Sequence, residues 1–206
     1  KIKIINNIIN DKKIKQNFNI YNEHSIPGSF KRIIGCVASM YPVKGQKYLL
    51  DSFSELIRES NIYYLIIVGD GAMMKEIELK IQRLKIKNSV LLAGYKDNAM
   101  DYIKSFDVLI VPSKQESFGR TIIEGMALKT PVIATNVGGI PELIKNRKTG
   151  LLIEYGNTKS FLHAIKLIFE NETLRSKIIN NAYTMVKSRF SIKNYMKQIY
   201  SVYELK

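Results

Sequence analysis

The chain has 206 residues, of which 46% are hydrophobic, and its formal net charge is +14. This length allows one substantial core, and a single domain is the expectation. No apolar run approaches the roughly 20 residues that a membrane-spanning helix needs, so we expect neither a transmembrane helix nor a signal peptide. Cys36, the one cysteine, lies in an apolar run. This placement favours a reduced, buried thiol and indicates a cytoplasmic location.

The positive charge is compatible with three classes of partner: nucleic acid, an anionic membrane surface and an anionic small ligand. The lysines are spread along the chain without a basic block, and no recognition helix, zinc finger or aromatic stacking motif is present, which argues against nucleic acid. Lysine used as a general solubilising residue explains the charge as readily as a membrane-facing role does. We therefore expect no nucleic-acid partner and leave contact with a membrane open.

Short β-branched runs alternate with amphipathic segments. The runs predicted as strands buried on both faces are Ile33–Ala38, Tyr63–Val68, Val90–Leu92, Val108–Val111, Val132–Ala134 and Leu151–Ile153. The segments predicted as helices are Gly45–Arg58, Met73–Leu84, Ala99–Lys104, Arg120–Leu128, Pro141–Ile144 and Ser160–Phe169. This alternation predicts an α/β fold, a doubly wound, Rossmann-like parallel sheet of about six strands. Ligands bind such sheets beyond the carboxyl ends of the strands.

The two ends of the chain differ from this pattern. Residues 1–30 are polar and rich in Asn, and they are predicted to be a linker with one extended piece, Ile2–Ile5. Residues 31–190 would form the α/β domain. Residues 172–204 hold two helical patterns with no strand after them, and the second carries a wide apolar stripe from Ile192 to Tyr203.

The segment Pro112–Ala127 is the most informative, because a strand there runs through a polar loop into a helix. Backbone N–H groups of Ser117–Gly119 would point out of the carboxyl edge of the sheet, where they could bind phosphate. Glu116 and Glu124 could each accept hydrogen bonds from the hydroxyl groups of a sugar or a ribose. Taken singly, the first is better explained as a carboxylate at a helix N-terminus and the second as a solvated helix residue.

Taken together, the segment resembles the Glu-x7-Glu motif of the family 4 retaining glycosyltransferases, which have the two-domain GT-B fold. Further matches stand in the family's order, namely Lys44–Gly45, Val68–Gly71, Ala93–Tyr95, Phe106–Ser113, Pro131–Gly139 and Gly150–Leu152. Residues 2–10 also resemble the family's interdomain linker. The resemblance covers nearly the whole chain, but only the C-terminal, donor-binding half of the usual enzyme.

The resemblance implies transfer of a sugar from a nucleotide-diphosphate sugar, UDP- or GDP-linked, to a glycan, a lipid or another hydroxyl acceptor, with retention of configuration. It implies no cofactor, and without an Asp-x-Asp pair to hold a divalent cation we expect no metal. The N-terminal acceptor domain would be missing from this chain, which should therefore be inactive alone. The helix in residues 191–206 would dock on that missing domain, and the enzyme would be cytoplasmic or at the inner face of the membrane.

The resemblance also assigns residues. Glu116 would contact the donor sugar near its reacting end, Lys44 the diphosphate, and Glu124 the ribose. The other binding residues that it implies surround the diphosphate and the base: Ser39, Gly45, Gly94, Tyr95, Lys96, Ser117, Phe118, Gly119 and Arg120. Of these, Gly94–Lys96 would receive the base through backbone atoms.

One position departs from the family pattern. The family usually has an arginine five residues before the Lys44 position, and this chain has Ser39, which cannot supply the charge. Arg120 could offer a substitute guanidinium, or it could be a solvent-facing helix arginine. Two alternatives therefore remain, a nucleotide-sugar-binding module without activity and an epimerase-like enzyme on the same fold. The missing Gly-x-Gly-x-x-Gly after the first strand argues against a dinucleotide dehydrogenase.

Overall fold

A computed structural model of the chain describes residues 18–203, which form a parallel sheet with helices on both faces. Its strands are β1 Arg32–Val37, β2 Tyr63–Val68, β3 Val90–Gly94, β4 Val108–Val111, β5 Val132–Thr135 and β6 Leu151–Ile153. All pair in parallel in the order β3-β2-β1-β4-β5-β6. The predicted doubly wound α/β fold is confirmed.

The helices of the described part are α1 Ile20–His24, α2 Gln46–Glu59, α3 Met74–Leu84, α4 Ala99–Ser105, α5 Arg120–Ala127, α6 Ile140–Leu143, α7 Thr158–Glu170, α8 Glu172–Arg189 and α9 Ile192–Tyr203. Short 3-10 turns at Pro42–Lys44 and Lys87–Ser89 precede α2 and β3. Within residues 18–203 no helix combines the length and the apolar character needed to cross a membrane.

The strands are apolar throughout because helices cover both faces of the sheet. In β1, Ile34 and Cys36 pack among residues of α2, α3 and α7. Ile33, on the opposite face, packs among residues of α4, α5 and α8. Such two-sided burial is the physical reason that continuous apolar runs, without polar alternation, predicted the strands correctly.

Residues 18–30 contain a short helix, α1, that was not among the predicted elements. The side chain of Asn19 caps it by accepting hydrogen bonds from two backbone amides. Ile20 and Ile26 are buried in the core, and His24 Nε2 lies 2.7 Å from Tyr102 Oη. This part of the chain therefore packs on the sheet domain.

Residues 1–17, with the predicted extended piece Ile2–Ile5, lie outside the described residues. A linker role for residues 1–30 stays a prediction. At the other end α8 packs against α5. Helix α9 follows it and exposes Ile192, Met196 and Tyr200, which are spaced four residues apart on one face. Docking of α9 on a further domain also stays a prediction.

Candidate functional site

A cleft lies at the carboxyl ends of β1 and β4. In the sheet, β2 and β3 follow β1 on one side, and β4, β5 and β6 follow on the other side. The strand order therefore reverses between β1 and β4. Such a switch point is where doubly wound sheets bind ligands. The cleft encloses about 180 Å³. Its lining consists of Cys36, Val37, Ala38, Ser39, Lys44, Ile110, Val111, Pro112, Ser113, Glu116, Gly119 and Thr121.

The loops after β1 and β4 contact each other through their backbones. Gly45 has a φ of +74°, and a Cβ atom there would lie 1.9 Å from the carbonyl oxygen of Pro112. Only glycine permits both this conformation and this approach. Beside it, the amide of Lys114 donates to the carbonyl of Val43 at 2.7 Å. These contacts fix the distance between the loop that carries Lys44 and the loop that carries Glu116.

The loop after β5 supports the Glu116 loop from the other side. Gly138 has a φ of +51°, and a Cβ atom there would lie 2.0 Å from the carbonyl oxygen of Glu116. The amide of Gly139 donates to that same oxygen at 2.9 Å. The hydroxyl of Thr135 also donates to the carbonyl of Ser113 at 2.5 Å. The backbone of Glu116 is therefore held between two neighbouring loops.

An ion pair bridges the cleft. Lys44 Nζ lies 2.7 Å from Glu116 Oε2, and the Ser113 hydroxyl is 3.4 Å from the same oxygen. The Lys44 and Glu116 side chains are 26% and 15% exposed. Partial burial strengthens their attraction and also removes water from both charges, so the net stabilisation is small. A ligand anion that enters the cleft can replace the carboxylate on Lys44.

Cys36 is among the residues that line the cleft, but its side chain packs in the core of the domain. Its side chain is fully buried, and this burial raises the pKa of the thiol to about 12. The thiol is therefore protonated at neutral pH and unreactive as a nucleophile. Within the described residues it is a free cysteine, as predicted.

Ser39 lies in the cleft lining, where its backbone carbonyl accepts a hydrogen bond from Gln46 Nε2 at 3.0 Å. Gln46 is only 2% exposed, although it is the first residue of α2. Sequence reasoning missed Gln46, because a polar residue at a helix N-terminus usually faces solvent. The buried amide fixes the backbone at the position where the family usually has an arginine.

Arg120 and Glu124 form a pair of their own on α5. Arg120 Nε lies 3.0 Å from Glu124 Oε1, and the arginine side chain is 73% exposed. Arg120 does not line the cleft in this conformation. The Glu124 side chain is only 18% exposed, so it is not a solvated helix residue. Burial raises the pKa of Glu124, and the Arg120 guanidinium partly offsets that rise.

The residues that precede α5 point in different directions. Gly119 lines the cleft with a φ of +83°. Ser117 is exposed, and the ring of Phe118 packs edge-on against Phe190 with the ring centroids 6.1 Å apart. The Phe118 side chain therefore anchors the loop to Phe190, the residue that follows α8.

The residues assigned to the base lie further along the same edge of the sheet, after β3. Gly94 has a φ of +69°, and its carbonyl accepts from the amide of Gly69 at 2.8 Å. Tyr95 is 72% exposed, and Lys96 Nζ lies 6.0 Å from the centre of the Tyr102 ring. These residues are separated from β1 by β2, so the structure places them beside the cleft and not in its lining.

Within residues 18–203, no group of three His, Cys, Asp or Glu side chains is arranged to bind a metal ion. The absence of a metal requirement stays a prediction.

Residues 12–185 match the family described as "Glycosyl transferases group 1". The chain belongs to this family. Similar proteins include an uncharacterised glycosyltransferase of Methanocaldococcus jannaschii, which is 30% identical over all of this chain and 54% of that protein. The N-acetyl-alpha-D-glucosaminyl L-malate synthase of Bacillus anthracis is 30% identical over 88% of this chain and 47% of the synthase. The chain thus spans about half the length of these relatives.

Solved structures of glycosyltransferases have the same fold. Anabaena HepE in complex with UDP and glucose is 25% identical and superimposes with a TM-score of 0.82 over 89% of this chain and 50% of HepE. The C-terminal domain of a Francisella tularensis glycosyl transferase group 1 protein has a TM-score of 0.71 and 23% identity. It matches 84% of this chain and 91% of that domain. The fold is therefore that of one Rossmann-like domain of a GT-B glycosyltransferase.

Gly138→Ala should damage the site more than Gly156→Ala. Both glycines have positive φ, so both substitutions strain the backbone by about 1 kcal/mol. Only at Gly138 would the new Cβ meet the Glu116 carbonyl, because nothing lies within 4 Å at Gly156. We expect Gly138→Ala to lower the free energy of unfolding by roughly 1–3 kcal/mol more than the control, measured by urea denaturation. Equal losses would contradict this account of the loop contact.

Proposed function

We propose that this chain is the donor-binding domain of a metal-independent, retaining glycosyltransferase, and that the cleft between β1 and β4 binds the diphosphate of a nucleotide sugar. The observation that carries the proposal is the Lys44–Glu116 pair at the switch point of the sheet. A lysine ammonium at this position can exchange its carboxylate partner for a phosphate oxygen. A UDP-sugar or a GDP-sugar is the donor.

Two features of the cleft favour a diphosphate over other ligands. Lys44 contributes a positive charge to the lining of the cleft. Gly119, the residue that precedes α5, also lines the cleft, so the N-terminus of that helix faces it. A helix N-terminus presents backbone N–H groups and the positive end of the helix dipole, and both stabilise an anion. The backbone at Ser117 and Phe118 extends this anion site along the loop.

The remaining assignments follow from this placement of the diphosphate. Once Lys44 binds phosphate, Glu116 is free to accept hydrogen bonds from hydroxyl groups of the donor sugar. Glu124, shielded from solvent on α5, would accept the ribose hydroxyl groups in place of Arg120. The backbone of Gly94–Lys96 would contact the base. No redox cofactor is needed for this reaction.

The chemistry requires charge stabilisation and positioning more than proton transfer by the protein. The acceptor hydroxyl would attack the sugar on the face from which the diphosphate departs, and a phosphate oxygen would take the hydroxyl proton. Lys44 would stabilise the negative charge that develops on the leaving diphosphate, and Glu116 the positive charge on the sugar ring.

The relatives support a sugar nucleotide as donor. HepE structures hold UDP or UDP-glucose, and a 29% identical Escherichia coli relative is named as a UDP-Gal-dependent galactosyltransferase. That enzyme's name gives a diphosphoundecaprenol-linked sugar as acceptor, and another relative is named for capsular polysaccharide biosynthesis in Staphylococcus aureus. We propose a glycan or lipid-linked acceptor held by a domain other than this one. Alone, the chain should bind the donor without transferring it, and a cytoplasmic location stays a prediction.

A second candidate is a nucleotide-sugar-binding module without activity. Ser39 favours it, because the usual arginine is missing and Arg120 is turned toward Glu124. An assay of sugar transfer distinguishes the two candidate functions. The longer protein that contains this domain should transfer sugar if the first is right, and only bind the nucleotide sugar if the second is right.

Removing the internal carboxylate should strengthen the binding of a free nucleoside diphosphate. Wild-type affinity should lie in the micromolar to millimolar range, about 4 to 8 kcal/mol, because a half-open cleft leaves the ligand solvated. Glu116→Gln abolishes the carboxylate charge that competes for Lys44, so Kd should fall several-fold. Lys44→Gln should raise Kd about tenfold, a loss of about 1.4 kcal/mol.

Calorimetric titration with UDP, GDP and ADP makes this measurement. Lys47→Gln is the matched control, because Lys47 pairs with Glu76 on the exposed surface outside the cleft. Binding of none of the three nucleotides at millimolar concentration would refute the donor-domain proposal. Weaker binding by Glu116→Gln would refute the competition between carboxylate and phosphate.

The two glutamates should differ in the kinetics of the longer protein. Glu124→Ala should raise the donor KM with kcat nearly unchanged, because the ribose is held alike in the ground and transition states. Glu116→Ala should lower kcat by about 10²–10³, or about 2.7–4 kcal/mol, because charge develops at the sugar only in the transition state. Steady-state rates at varied donor, with thermal melts of both variants, test this. If Glu116→Ala kept the wild-type kcat, Glu116 would have a structural role and not the proposed catalytic one.

A further inference from the structure

The two edges of the parallel sheet differ in charge. The connections that follow the strands, at the carboxyl edge, are residues 38–45, 69–73, 95–98, 112–119, 136–139 and 154–157. They hold three cations, Lys44, Lys96 and Lys114, and four acids, Asp70, Asp97, Glu116 and Glu154. The net charge of this edge is therefore −1.

The connections that precede the strands, at the amino edge, are residues 25–31, 60–62, 85–89, 106–107, 128–131 and 144–150. They hold seven cations and one acid, which gives +6. The cations are Lys31, Lys85, Lys87, Lys129, Lys145, Arg147 and Lys148, and all seven are exposed. The acid, Asp107, accepts from the amide of Ile33 at 2.7 Å and lies 3.8 Å from Arg32. We call these seven cations the amino-edge platform.

Helix α8 extends the positive charge beside the platform. This helix contains four Lys and Arg residues and one acid, Glu172, which pairs with Arg175 in its first turn. The centre of the Tyr183 ring lies 4.8 Å from Lys129 Nζ and 5.6 Å from Lys187 Nζ. An amphipathic ring with two neighbouring ammonium groups suits the headgroup layer of a membrane, where tyrosine is enriched.

Stabilisation of helix ends explains only part of the platform. Helices end at this edge, and a cation near a helix C-terminus is favourable; Lys85 and Lys129 follow α3 and α5 in this way. Lys145, Arg147 and Lys148, however, follow α6, which has only four residues. Lys145 Nζ donates to the Pro141 carbonyl of α6 at 3.1 Å, but one helical turn has too small a dipole to account for Arg147 and Lys148 as well.

We propose that the amino-edge platform binds the surface of a membrane that contains anionic lipids. The cations lie at both ends of the edge, with Lys85 and Lys87 before β3 and the Lys145–Lys148 cluster before β6. Five strand spacings of about 4.8 Å separate these ends by roughly 24 Å. A flat bilayer can contact both ends at once, and clustered lysines are attracted to anionic headgroups.

Single-stranded nucleic acid fits this edge less well, because its bases need exposed aromatic side chains for stacking. Among residues 18–203 the exposed aromatic side chains include Tyr41, Tyr95 and Tyr155, which lie in carboxyl-edge connections, and Tyr200 on α9. None of them is in an amino-edge connection. The platform shares no residue with the cleft, so a membrane-bound chain keeps its cleft open to nucleotides.

Vesicle co-sedimentation of the 206-residue chain tests the proposal. Vesicles of phosphatidylglycerol and phosphatidylcholine are compared with vesicles of phosphatidylcholine alone, at low and high salt. The variants are Lys85→Gln/Lys87→Gln and Lys145→Gln/Lys148→Gln, one pair at each end of the platform. The matched control is Lys75→Gln/Lys159→Gln, which removes two exposed lysines from the first turns of α3 and α7 at the carboxyl edge.

We expect binding to the anionic vesicles only, and weakening by high salt. Each platform pair should weaken it about 25-fold, since each lysine near an anionic membrane contributes roughly a factor of five. The control pair should change it far less, and thermal melts should be equal. An equal loss in the control, or equal binding to both vesicles, overturns the proposal. Tighter binding to a DNA duplex, lost in the same variants, would make nucleic acid the partner.

Discussion

The cleft depends on close contacts between backbones that a single Cβ atom would prevent. Gly45 lies against the Pro112 carbonyl and Gly138 against the Glu116 carbonyl, in each case at a positive φ. These contacts join the loops after β1, β4 and β5, which the parallel sheet brings to one edge. Because side chains on different loops meet only when the loop backbones are fixed, the 2.7 Å contact of Lys44 with Glu116 follows from these glycines.

The cleft holds an internal substitute for its ligand. Lys44 is paired with Glu116, and Glu124 is paired with Arg120, so all three charged groups proposed to touch the donor already have partners. Each pair must open when a nucleotide sugar binds, and opening it offsets part of the binding energy. Without a ligand, the two pairs keep the lysine and both partly buried carboxylates paired, since an unpaired charge in a partly dry site is costly.

The sequence predicted the fold well because local and global preferences agree along the sheet. β2 and β4 have the predicted bounds, since each is a continuous apolar run with both faces covered. Helix α1 was missed because five residues show too little periodicity, and Ile20 and Ile26 become core residues only through contacts with distant elements. The motif residues Ser39, Lys44, Glu116 and Gly119 do meet at the cleft. Their ion pair, the burial of Glu124 and the role of Gln46 depend on strand register and burial, which no local pattern encodes.

The most direct test of the account is a crystal structure of this chain with UDP. We expect the diphosphate at the carboxyl ends of β1 and β4, with Lys44 Nζ moved from Glu116 to a phosphate oxygen and the ribose at Glu124. A nucleotide bound elsewhere on the domain, or one bound while the Lys44–Glu116 pair stays closed, would contradict it.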